Sequence, residues 1–234
     1  MLKINNKKAS HVGVVLSFIL FITFIVFMYV LLDSKVNQER GKPSTLNYVK
    51  GTLLEQVSAE LTTVSVALIS PQSNCVELSG FLSGTGLSNR IIVRDDSGNV
   101  LTSGISGQNL KVERNGNTFF RVYESETFSP EGDLSSSCQS PSYTIGLSKT
   151  ENLIFESKVA ELSVNYAADY EALKRSLNIG SGDEFGFVLT YNDETMLKTP
   201  EENVTISIYA SQIPIQYIRT NGAREAGILT VLVW

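Results

Sequence analysis

Histidine is almost missing: the single His among 234 residues is His11. Everything after it therefore lacks imidazole, which excludes Ser-His-Asp and Cys-His hydrolysis and histidine-ligated zinc. Cysteine is equally scarce, with only Cys75 and Cys138. A nucleophilic cysteine needs a base beside it, so the two are better read as a bridge. Basic runs are absent beyond the first residues, and with them the electrostatic footprint of a nucleic-acid-binding domain. Charge of either sign is absent from Val12 to Leu32. Aromatic residues, by contrast, are plentiful, with 11 Phe and 9 Tyr, which excludes a disordered stalk.

The uncharged stretch VGVVLSFILFITFIVFMYVLL carries much of the 42% hydrophobic content. As a helix rising about 1.5 Å per residue, it reaches roughly the 30 Å of a bilayer core. Sixteen of its residues are Val, Leu, Ile or Phe. Each favours insertion by about 0.3–0.6 kcal/mol, a sum of order −5 to −10 kcal/mol. Lys3, Lys7 and Lys8 precede it, whereas Asp33, Lys35, Glu39, Arg40 and Lys42 follow as a mixed set. The positive-inside rule then keeps the N-terminus cytoplasmic and sends the remainder across. No small-x-small cleavage pattern follows Leu32, so the segment is expected to stay attached as a signal-anchor.

Both cysteines fall in the exported part, where an even count favours a disulfide between Cys75 and Cys138. Asn203-Val204-Thr205 is the one N-glycosylation sequon, placing Asn203 as an acceptor on an extracellular domain. The expected fold class is an N-terminal transmembrane α-helix followed by an α+β, β-rich extracytoplasmic domain of antiparallel hairpins with one or two packed helices. Its divisions are a basic cytoplasmic N-terminus (1–11), the transmembrane helix (12–32), a juxtamembrane stalk (33–43) and the outer domain (44–234).

Within the outer domain, Gly41-Lys42-Pro43 reads as a helix breaker. Ser44 reads as the cap of a short helix with Leu46, Val49, Leu53 and Val57 on one face. Period-two alternation then predicts a strand through Val64, Val66 and Leu68, ended by Pro71. Hairpins are expected around Asp96-Ser97-Gly98-Asn99 and around Asn115-Gly116-Asn117, whose residues readily adopt positive φ. A Ser- and Pro-rich loop from Ser125 to Ser142 carries Cys138, and a strand is expected over Tyr143–Leu147. A helix is expected between Phe155 and Ile179, closed by Gly180-Ser181-Gly182. Strands follow over Phe185–Tyr191, Val204–Tyr209, Ile213–Arg219 and Ile228–Trp234, the last two joined by a turn at Asn221-Gly222.

Chemistry-bearing motifs are few. Carboxylate-only hydrolysis has two candidate pairs, Asp183 with Glu184 and Asp193 with Glu194, but both sit in turn-like stretches where solvated acids are the norm. Asp95 to Asn99 lacks the spacing and distal Glu of a calcium loop and reads as a hairpin turn. Ser83-Gly84-Thr85-Gly86 has neither the lysine nor the following helix of a phosphate loop. No catalytic residue, cofactor or metal site is assigned.

Lys7-Lys8-Ala9-Ser10, set directly before the apolar helix, resembles the class III signal of archaeal type IV pilin-like proteins, here as a single-anchor exported chain. The resemblance implies cleavage between Ala9 and Ser10, packing of the apolar helix in a filament core, and an exposed β-rich domain that decorates the filament or binds surfaces. Two features depart from the pattern. Val14 stands where bacterial pilins carry Glu, and Gly41-Lys42-Pro43 interrupts the continuation of the helix. The expected role is thus a non-enzymatic, membrane-anchored cell-surface structural or interaction protein, pilin-like or adhesin-like. Its expected partners are the lipid bilayer and other pilin-like subunits or surface proteins. The alternative is a monomeric, membrane-tethered extracytoplasmic binding or sensing module.

Overall fold

The alternation expected from Leu61 does produce a strand, longer than expected: β1 (Ser58–Ile69) buries Val64, Val66 and Leu68 on one face. The computed structural model describes the backbone of residues 7–135, 137–200 and 207–234, and their side chains except those of 7–12 and 30–41. After β1 come β2 (Cys75–Leu78), α2 (Phe81–Thr85), β3 (Ile91–Asp95), β4 (Val100–Leu101), β5 (Ser103–Ser106), β6 (Asn109–Glu113) and β7 (Phe119–Glu124). Next are β8 (Ser142–Phe155), α3 (Glu156–Ala168), α4 (Tyr170–Ser176), β9 (Phe185–Thr190), β10 (Met196–Lys198), β11 (Tyr209–Ile218) and β12 (Arg224–Val233). A helix of 50 residues, α1 (Lys7–Gln56), precedes them all.

The strands form a nine-stranded sheet in the order β10-β9-β12-β11-β8-β1-β7-β3-β4 and a three-stranded sheet, β2-β6-β5. One face of the large sheet is covered twice. Over β9, β12 and β11 lie α3, α4 and the last turns of α1, enclosing Val49, Leu53, Phe187, Tyr217 and Val231. Over β1, β7 and β3 lies the small sheet, enclosing Val66, Val76, Phe81, Val112 and Phe120. The two halves meet at β8 and β11, which pair in parallel only at Tyr217 with Ile154 and Ile218 with Phe155. At this junction a smaller cluster of Leu61, Phe128, Phe155 and Ile218 lies on the opposite face.

The expectation of an N-terminal transmembrane helix is overturned. Among the described residues, no helix is long and apolar enough to cross a membrane. The expected span of 12–32 has its two ends, Val12 and Val30 to Leu32, outside the described side chains. Separate stalk and amphipathic-helix elements are likewise replaced by a single rod, because α1 runs through Pro43. An interior proline costs about 3 kcal/mol. The adjacent Lys42 offsets that cost by gripping the domain: its Nζ donates to Asp183 Oδ1 at 2.5 Å and to the Trp234 carbonyl at 3.0 Å. The predicted apolar face is nevertheless correct, with Val49, Leu53 and Val57 all at most 2% exposed.

Three smaller expectations are corrected. Asn115 and Gly116 do adopt positive φ, 48° and 85°, but the strands they join are not partners. β6 pairs with β2 and β5, whereas β7 pairs with β1 and β3, so the turn carries the chain from one sheet to the other. Turn residues fix a reversal; the apolar faces of Val112 and Phe120 decide which sheet each strand joins. The helix after Phe155 is two helices, because Asp169 breaks it and caps α4, accepting from Ala172 N at 2.9 Å. The two strands expected over 204–209 and 213–219 are replaced by the continuous β11 from Tyr209 to Ile218; residues 204–206 lie outside the described residues.

Candidate functional site

On the face of the large sheet opposite the helices and the small sheet, alternation aims Thr63 and Ser65 of β1, Arg121 and Tyr123 of β7, Arg94 of β3 and Lys149 of β8 outward together. Register aligns them in rows. Thr63 lies between Lys149 and Tyr123, and Ser65 beside Arg121, which in turn faces Arg94. One extra residue in β8, between Ile145 and Ser148 against Val64 and Val66, lets Leu147, Lys149 and Glu151 share this face while Tyr143 packs on the other.

The β11–β12 hairpin closes the site from one side. Its tip curls onto β3, where Gly222, at φ 74°, lies close against Ile92. Ile218 and Arg224 thereby stand across from the sheet and bound a cavity of about 400 Å³ that opens to solvent. Glu151 binds two of the cations, Lys149 at 2.9 Å and Arg224 at 3.0 Å. Hydrogen bonds from Lys149 and then Arg224 hold its carboxyl below the usual carboxylate range. Asp95 is committed locally, accepting from Asn99 N at 2.7 Å and Asn99 Nδ2 at 3.0 Å. These bonds, led by the Asn99 side chain, lower its pKa too. Arg94 donates to the Gly98 carbonyl. Arg121 lies over the Phe119 ring at 5.5 Å and, among the described residues, has no carboxylate partner.

The second exposed feature is α1 itself. Every described side chain from residue 13 to 29 is exposed, including Phe18, Phe21, Phe24 and Phe27, while the same helix supplies Val49 and Leu53 to the core.

The residues singled out from sequence are distributed as follows. Cys75 and Cys138 form the disulfide, tying the loop after β7 to the start of β2, where Val76 also bridges Gln139. Ala9 and Ser10 lie in the first turn of α1, their side chains outside those described, and Asn203 lies outside the described residues altogether. The paired acids are separated by their partners. Asp183 takes Lys42, Glu184 takes Lys174 at 2.6 Å and Tyr170 at 2.5 Å, and Asp193 accepts from Thr195 at 2.5 Å. The Asp95–Asn99 stretch is the β3–β4 turn, and Ser83 to Thr85 lie in α2. Among the described residues, no three His, Cys, Asp or Glu side chains gather as metal ligands.

Sequence reasoning missed Arg94, Arg121, Lys149 and Arg224. Alternation alone assigns the first two to the polar face of their strands, but their convergence needs the β3–β7 and β1–β8 pairings. Set against protein-family models, curated proteins and solved structures, the chain matches none of them.

Proposed function

We propose that the chain is an exported, non-enzymatic surface subunit that assembles with other copies through the apolar half of α1 and presents its β-rich domain outward. The observation that carries this reading is the division of labour along one helix. Residues 13–29 leave their apolar side chains uncovered, whereas Val49 and Leu53 anchor the same rod in the core. Apolar surface gains about 25 cal/mol per Å² on leaving water, so a run of phenylalanines and isoleucines along one helix favours burial among like helices. Continuity of α1 through Gly41-Lys42-Pro43 supports the pilin-like comparison, since that stretch was the expected interruption. The disulfide supports an oxidising compartment. The structural commitments of Asp183, Glu184 and Asp193 support the absence of carboxylate catalysis.

Intact mass of the mature protein, together with its distribution after shearing of the cell surface, tests the proposal. A chain starting at Ser10 and recovered in a high-mass fraction is the expected result. A monomer that retains Met1 overturns it and favours the tethered binding module, a reading that the open cavity beside Arg121 also suits.

A further inference from the structure

Arg94 and Arg121 occupy directly opposed positions on adjacent antiparallel strands and share one face. Like charges in that relationship are destabilising. Arg94 is partly satisfied by the Gly98 carbonyl, but among the described residues no carboxylate pairs with either guanidinium. Glu151 is already claimed by Lys149 and Arg224, and Asp95 by Asn99. Four cations therefore surround a cavity holding two carboxylates that are both engaged, in a chain whose net charge is −5. The local sign runs against the global one, so the repulsion is confined to this face.

We propose that this cavity binds a carboxylate-bearing saccharide, a uronate unit, with the Arg121 fork gripping the carboxylate and Arg94, whose Nε already serves the Gly98 carbonyl, adding positive charge and its remaining donors. Arginine presents a planar fork that meets a carboxylate through two parallel hydrogen bonds. Thr63 and Ser65, in the neighbouring strand beside Tyr123 and Arg121, add hydroxyls that exchange hydrogen bonds with sugar hydroxyls. The half-buried Tyr123 ring supplies a flat apolar wall against which a pyranose face packs. The cavity, about 400 Å³, falls within the range of about 300–1,000 Å³ that accommodates small ligands, and its open side lets a longer chain continue outward. This inference is independent of assembly through α1, because among the described residues none of that helix lines the site.

The test is calorimetric titration of the full-length chain, held soluble in a neutral detergent, with digalacturonate, with the neutral disaccharide cellobiose and with inorganic phosphate. Digalacturonate is expected to bind saturably and to weaken as salt rises, with cellobiose silent. Arg121→Ala is expected to weaken binding about tenfold or more, and Arg121→Lys several-fold, because lysine keeps the charge but loses the fork. Arg175→Ala, at an exposed position of α4, leaves binding unchanged. Thermal melts check that each variant is folded; if Arg121→Ala is not, Arg121→Lys and Arg94→Ala carry the comparison. Equal binding of the two disaccharides, no binding of either, or full affinity in Arg121→Ala overturns the proposal. Tight phosphate binding with digalacturonate silent overturns the saccharide assignment in favour of an inorganic oxyanion site.

Discussion

Lys42 and Asp183 lie 141 residues apart in sequence, yet their side chains meet at 2.5 Å and fix the point where α1 reaches the folded domain. The Lys42 ammonium also donates to the carbonyls of Gly182 and Trp234. Thr45 Oγ1 completes the arrangement by donating to Asp183 Oδ2 at 3.1 Å. With its side chain only 13% exposed, Lys42 is a clamp rather than a solvated surface charge. Lys42→Ala is expected to destabilise the protein by about 1.5–3 kcal/mol, the range for hydrogen bonds to charged groups. Urea unfolding measures the loss, and hydrogen exchange should locate it as faster exchange from Thr45 to Gln56. Unchanged protection there would mean that Val49 and Leu53 alone hold the helix.

A second ion pair lies deeper. Lys174 is 3% exposed, and its ammonium has Glu184 Oε1 at 2.6 Å. Tyr170 donates to the other oxygen of Glu184 and accepts from Phe185 N at 3.1 Å. Removing the acid strands a cation, so Glu184→Gln should cost about 3 kcal/mol or more. The double variant Lys174→Met with Glu184→Leu should recover most of that loss, since a packed apolar pair needs no charge compensation. Chemical denaturation of the single and double variants makes the comparison. A double variant no more stable than the single one would locate the energy in the pair itself rather than in the stranded lysine.

Much of this architecture was legible in the sequence wherever one element decided its own fate. The face of Val49, Leu53 and Val57 follows from helical spacing, and β1 from alternation. The turn at Asn221-Gly222 follows from residues that tolerate positive φ, and Gly222 adopts 74°. The disulfide follows from a count of two. What stayed hidden depends on pairing between distant strands. Asn115-Gly116 announces a reversal, but not that β6 and β7 part into different sheets. The Pro43 rule fails because Lys42 finds partners beyond residue 180, which no local window contains. The cavity cations are distributed over β3, β7, β8 and β12, so no motif could announce them.

Alkaline pH should weaken the fold through its tyrosines. Burial, followed by the Glu184 contact, pushes the Tyr170 phenol well above its ordinary 10.0. Burial pushes Tyr191 up to about 12, and it raises Tyr217 as well. A folded-state pKa above the unfolded value means that the folded chain holds its proton longer. The associated stability is complete below the unfolded pKa, near 10, and is lost progressively as pH rises beyond it. The guanidinium midpoint should therefore be flat in tyrosine terms below about pH 9 and fall above about pH 10. Phenolate absorbance should show these tyrosines ionising together with unfolding rather than before it. A midpoint that stays constant through that window removes the inference.

Gly222 sets the height of the cavity roof, and its substitutions separate two costs that usually arrive together. Any side chain there is strained by the positive φ, by roughly 1–2 kcal/mol for an ordinary residue and less for asparagine. A Cβ would also stand 3.4 Å from Ile92 Cγ2, an ordinary van der Waals contact, so the hairpin tip can stay seated on β3. If backbone strain dominates, Gly222→Asn should be milder than Gly222→Ala, and Ile92→Val should not change the difference. If contact with Ile92 dominates, Ile92→Val should partly rescue Gly222→Ala, giving a coupling energy of about 0.5 kcal/mol or more in the double-mutant cycle. Backbone strain without coupling is the expected result, because an added methyl meets Ile92 at ordinary contact distance. A lifted tip would carry Arg224 away from Glu151, leaving that carboxylate with Lys149 alone. With the tip in place, Gly222→Ala should leave anion affinity in the cavity untouched where the domain stays folded, and a loss of affinity would show that the tip had lifted.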